Sequence, residues 1–139
     1  MLEVVLDTNV LVAALRSSLG ASFRLLNTLE HRAWQPVISP ALALEYEAVL
    51  KRKAADIGLK VEEVDDFVEY ICSRARLLQI YFRWRPVLRD PDDDRILELA
   101  VRARCAIVTF NWRHFAGAER FGVGLLSPGA LLNLLGVHK

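Results

Sequence analysis

The side chains in this sequence that could do chemistry are acids and amides at four distant places. Asp7 follows the apolar run LEVVL, and Asn111 follows the apolar run AIVTF. The block Asp90-Pro91-Asp92-Asp93-Asp94 opens a helical stretch. Glu45 lies inside another helical stretch, on the turn after Leu42, where a long side chain can reach across to strand ends; Glu47 is an equal competitor. Singly, each has a plainer use. Asp7 reads as a helix cap, and the acids of DPDDD as caps and solvent-facing charge that suit a helix dipole. Together they form an oxygen-only donor set. Two carboxylates about 4 Å apart repel by roughly 4 kcal/mol at an effective dielectric of about 20. Three in one pocket must therefore be protonated, salt-bridged or bridged by a cation. With no Cys or His in the group, a hard cation, Mg²⁺ or Mn²⁺, suits it better than zinc. Such an ion keeps waters, completes its shell with substrate phosphate, and suits phosphodiester hydrolysis.

Competing chemistries find less support. His31, His114 and His138 have no evident Ser or Cys partner, and no Gly-rich phosphate loop is present. A phosphatase or receiver-type Mg²⁺ pocket would need an acid two residues after Asp7, where Asn9 stands. Cys72 and Cys105 are far apart among core-like neighbours, which reads as two buried thiols in a reducing cytoplasm. On the substrate side, Arg83, Trp84, Arg85 and Arg89 interleave bases with aromatics before the acid cluster. That pattern suits phosphate contact and base stacking, and equally an amphipathic edge strand or loop. Arg113 and His114 follow Asn111 closely enough to sit at the pocket mouth, while Lys51, Arg52 and Lys53 read as complementing a helix C-terminus.

These residues need a scaffold, and the pattern supplies one. The chain has 139 residues, 53% hydrophobic and 25% charged, with a formal net charge of +1, and a mean hydropathy of +0.24. That is one domain's worth of chain, residues 1–139, with enough apolar surface for a core and an excess that a partner or a second copy would cover. The net charge argues against a broad coat of nonspecific nucleic-acid binding, though not against a local basic groove. No apolar run approaches a membrane span, and the N-terminus is unlike a signal peptide, so a cytoplasmic location is expected. Strands are expected at 2–6, 36–38, 77–81, 106–110 and 123–126. Helices are expected after DTN, with Thr8 or Asn9 as cap; over 21–32; from Ser39-Pro40 to about Lys53; over 61–75; through RILELAVRAR, with Asp92 or Asp93 as cap; and from Ser127-Pro128. Strands alternating with helices predict an α/β domain with a mainly parallel sheet. In such a sheet ligands bind at the carboxyl ends of strands where the connection order reverses, so Asp7, Glu45, Asp93 and Asn111 are expected to converge there.

The blocks LEVVLDTNVLVAAL, SPALALEYEAVLKR, RDPDDDRILELAVRA and AIVTFNWRHF together resemble the PIN-domain family, and within it the VapC-like toxin branch. The resemblance is collinear over essentially the whole chain. It implies a PIN-like three-layer α/β/α fold with a central, mainly parallel sheet, and an endoribonuclease dependent on Mg²⁺ or Mn²⁺. The family's acids fall on Asp7, Glu45 and Asp93 as catalytic and metal-holding residues. The fourth acid falls on Asn111, which removes a negative charge and favours one protein-held ion over two. Thr8, Asn9 and Thr109 correspond to residues that orient the carboxylates, with Asp90 and Asp92 at the rim. The resemblance also implies an RNA substrate, a homodimer and a small antitoxin protein as partner. The alternative is a noncatalytic or weakly active PIN-like module that binds RNA or protein.

Overall fold

The structure, a computed structural model, describes residues 1–80, 88 and 90–136. The chain opens with β1 (Leu2–Leu6), whose Val4, Val5 and Leu6 are fully buried. A strand segment covered on both faces has no reason to alternate polar and apolar residues, which explains the unbroken run Val4-Val5-Leu6 after the partly exposed Glu3. Then follow α1 (Thr8–Arg16), α2 (Ala21–Asn27), a 3₁₀ turn (Thr28–His31) and β2 (Trp34–Ile38). The helix expected over 21–32 thus stops at Asn27 and tightens into that turn. β2 begins earlier than the 36–38 run suggests, because Trp34 is buried and its indole N–H donates to the Thr28 hydroxyl at 2.7 Å. Next come α3 (Pro40–Ile57), α4 (Val61–Arg74) and the short β3 (Arg76–Leu77). The Ser39 hydroxyl accepts from the Leu42 N–H at 3.1 Å with Pro40 behind it, and Gly58 closes α3 in the left-handed conformation at φ 80°. The second half holds α5 (Pro91–Ala103), β4 (Ala106–Val108), 3₁₀ turns at Trp112–Phe115 and Ala118–Phe121, β5 (Leu125–Leu126) and α6 (Pro128–Leu134).

Among the described residues five strands form one all-parallel sheet in the order β3-β2-β1-β4-β5. Flanked by the six helices, it makes a three-layer α/β/α fold. The buried apolar side chains form one cluster around β1, with Leu11, Leu25, Leu42, Leu50, Ile96, Leu97 and Phe115 among its members. From β1 the chain adds β2 and β3 on one side, then crosses to add β4 and β5 on the other. The order therefore reverses between β1 and β4, and it is beyond the carboxyl ends of such a strand pair that a parallel sheet leaves its ligand crevice. Among the described residues no helix is long and apolar enough to cross a membrane.

Candidate metal and nuclease site

Asp7 leaves β1 at that reversal point. Its backbone N–H donates to the Val108 carbonyl at 2.9 Å, tying the end of β1 to the end of β4. It also occupies the cap position of α1, where Thr8 or Asn9 was expected, yet its carboxylate makes no cap bond. Instead Oδ2 accepts from the Thr109 hydroxyl at 2.7 Å, and the Thr109 oxygen accepts from the Asn111 N–H at 2.9 Å. A relay thus runs from the turn after β4 to the Asp7 carboxylate. Asp7, Thr8 and Thr109 are all buried.

α3 delivers Glu45. The Thr8 hydroxyl donates to its Oε2 at 2.5 Å, so the first residue of α1 is occupied in holding a carboxylate. The neighbouring Tyr46 is fully buried and its hydroxyl donates to the Leu6 carbonyl at 2.6 Å. That bond pins α3 to the end of β1, one residue from each acid; sequence reasoning missed it, because nothing local marks a tyrosine for so distant a partner. Glu47 lies on the other side of the helix and pairs with Lys51 at 2.9 Å. Glu45 Oε1 and Asn9 Oδ1 are buried without a hydrogen-bond partner among the described residues.

α5 delivers Asp93. The cap is Asp90, accepting from the Asp92 N–H at 2.9 Å, and not Asp92 or Asp93 as expected; Pro91 occupies the first helical turn and moves the cap upstream. Freed from capping, Asp93 faces the 112–115 turn, and its Oδ2 lies 3.6 Å from His114 Nδ1. Asp92 is exposed and pairs with Arg95 at 3.1 Å. Asn111 is exposed and seeds the turn, its carbonyl accepting from the His114 N–H at 2.9 Å. Arg113 is exposed on that turn. Arg83, Trp84, Arg85 and Arg89 lie outside the described residues.

The electrostatics join what the chain separates. Burial lifts Asp7 above the ordinary aspartate range against the pull of its Thr109 bond, and the Asp90 charge adds to the rise. Burial, with the charges of Asp92 and Asp7, lifts Glu45 to about 7 despite the Thr8 bond. Burial, with Asp7 and Asp90, lifts Asp93 to about 6, opposed by His114. Asp7 is the common member, felt by both other acids. Each group pays for desolvation and for like charge nearby. Elsewhere burial pushes the thiols up, Cys105 to about 11, which leaves both cysteines as unreactive thiols.

Among the described residues no three Asp, Glu, His or Cys side chains are drawn together tightly enough to be a finished metal-ligand set. The donor chemistry nevertheless fits a hard divalent cation. Its three acids offer oxygen, with the His114 imidazole beside Asp93; the carboxylates resist ionising without a counter-charge, and one buried Glu45 oxygen has no partner among the described residues.

A family model described as "PIN domain" matches residues 3–113, from β1 through the turn that carries His114's neighbour Arg113. No curated protein matches the chain. Among solved structures, the chain is similar to a domain of a functionally unknown protein from Methanocaldococcus jannaschii DSM 2661, at 17% identity over 91% of each chain with a TM-score of 0.48.

Proposed function

The chain belongs to the PIN-domain family, whose members are generally nucleases, and on that premise we propose that it is a metal-dependent endoribonuclease. The observation that carries the reading is the set of three desolvated carboxylates, Asp7, Glu45 and Asp93, at the point where the sheet order reverses. These three would hold Mg²⁺ or Mn²⁺, which when bound supplies a water of lowered pKa and neutralises charge growing on the scissile phosphate. The chain's own part is positioning. Thr109 fixes one Asp7 oxygen, and Thr8 fixes one Glu45 oxygen while the other is buried without a partner among the described residues. Tyr46 keeps α3 in register with β1, and His114 stands beside Asp93. Asp90 and Asp92 add negative charge at the rim, which favours a cation entering and disfavours a phosphate without one. Cleavage of single-stranded and structured RNA with and without Mn²⁺ tests the reading. Mn²⁺-dependent cutting within the strand supports it, and equal activity in Asp7→Asn and Asp93→Asn would sink the site.

Within that class the reading is a toxin of a toxin–antitoxin pair, acting on cytoplasmic RNA as a homodimer and restrained by a small antitoxin. Its support is the collinear likeness of the four sequence blocks to the toxin branch. Co-expression with the product of an adjoining short reading frame tests it: relief of growth arrest supports the pairing, and growth unaffected by the chain alone counts against it. A second reading, a PIN-like module that binds without cutting, draws on Asn111 in place of a fourth acid and on the absence of a finished ligand set among the described residues. Lack of Mn²⁺ binding at millimolar concentration would favour it.

A further inference from the structure

Two large aromatic side chains are exposed to solvent just beyond the carboxyl end of β4. Phe110 is 48% exposed and Trp112 is 60% exposed, on either side of Asn111, where β4 gives way to the 112–115 turn. The same fold buries Trp34, Tyr46 and Phe115 completely, so the exposure is local and not a shortage of core. The turn's last residue, Phe115, is fully buried, whereas its first, Trp112, is exposed. Phe115 anchors the turn in the core, and His114, between them, lies 3.6 Å from Asp93. Trp112 is thus two residues along the chain from the contact to Asp93, on a short turn anchored by Phe115. Arg113 is exposed on the same turn.

An exposed aromatic plane, a guanidinium and an acid site within one turn suit a nucleotide whose base stacks while its phosphate lies beside a cation. The charge balance points the same way. A formal net charge of +1 gives the chain little general attraction for a polyanion, so contact with bases must carry more of the affinity. Bases in a duplex are already stacked on their neighbours and cannot use such a surface; unpaired bases can. We propose that Trp112, with Phe110 as a second aromatic beyond the same strand end, is a base-stacking platform for single-stranded RNA. It holds a nucleotide beside the phosphodiester that enters the crevice; the choice of RNA as ligand and this placement rest on the nuclease reading, while the exposure of the aromatics does not.

The test uses the full chain carrying Asp7→Asn, so that bound RNA is not cut. Fluorescence anisotropy follows a labelled oligouridine strand and an abasic ribose-phosphate strand of equal length. Trp112→Ala is expected to weaken oligouridine binding roughly 5- to 150-fold, the range for losing one stacked base, and to leave the abasic strand unaffected. Trp112→Phe should keep most of the affinity. Equal weakening on both strands, no weakening on either, or a change of oligomeric state in light scattering without a base-dependent loss would overturn the proposal. An otherwise unmodified chain that binds bases through Trp112 yet never cuts RNA with Mn²⁺ would contradict the nuclease reading and leave the platform standing.

Discussion

Two glutamates on one helix face opposite fates. Glu47 is on the outer side of α3, where Lys51 meets it at 2.9 Å and also meets Asp65 at 2.9 Å. Glu45, two residues earlier, is turned inward to a hydroxyl, with one oxygen buried and unpartnered. The contrast extends to the two ends of the sheet. At the start of β1, Glu3 has Arg76 at 2.9 Å. At its end, Asp7 has a threonine hydroxyl, and neighbouring acids in place of a cation. The outer acids Glu47, Asp65 and Glu3 are neutralised by the chain itself, and each such pair is worth about 0–1 kcal/mol. Charges in the crevice are concentrated where they repel. Arranging acids this way costs stability, and the arrangement makes physical sense where an external cation supplies the missing charge.

The largest expected effect separates the two sets of acids by activity. Asp7→Asn or Asp93→Asn should lower Mn²⁺-dependent RNA cleavage on the order of 10³-fold, since metal-held chemistry contributes several kcal/mol at about 1.4 kcal/mol per tenfold. Glu3→Gln and Glu47→Gln should leave the rate within about twofold in the same gel assay, as ordinary surface changes do. Thr109→Val removes the hydroxyl that orients Asp7 and should weaken Mn²⁺ affinity about 10- to 100-fold. A titration of activity against Mn²⁺ reads that loss, which excess metal should partly restore.

Next comes pH. The raised values mean that the folded protein keeps protons on Asp93 and Glu45 that the unfolded chain has already released. Stability of the metal-free protein is therefore full below about pH 4 and falls as pH rises through about 6 and about 7. Thermal melting should show a decline from pH 4.5 to 8, flattened in Asp93→Asn and reversed by Mn²⁺ at the upper end. A melting temperature that climbs across this range would count against crowded acids. The smallest effect belongs to the outer network: Lys51→Ala should cost no more than about 1 kcal/mol in urea unfolding, an effect salt would mask.

How far the sequence could be read follows from the range of the forces involved. LEVVL and AIVTF announce themselves because their buried cores, Val4–Leu6 and Ile107–Val108, are apolar on both faces, though the second strand ends at Val108, before Thr109 turns to Asp7. Proline and serine mark the starts of α3 and α6 for local reasons. Caps were harder. Asp7, Thr8 and Asp93 are residue types that caps favour, but two are turned to partners across the fold and the third is displaced by Pro91. Glu45 and Glu47 are indistinguishable by periodicity, and only Thr8, 37 positions away, separates them. The Tyr46–Leu6 bond and the approach of His114 to Asp93 have no local trace at all.

The account stands most directly on a calorimetric titration of the metal-free protein with Mn²⁺ near pH 6.5, run in two buffers of different ionisation heat. Bringing a divalent cation to partly protonated carboxylates must displace protons. Saturable binding with proton release is predicted for the unsubstituted chain, with both signals lost in Asp7→Asn. No heat of binding at millimolar Mn²⁺, or binding without proton release that survives Asp7→Asn, would contradict it.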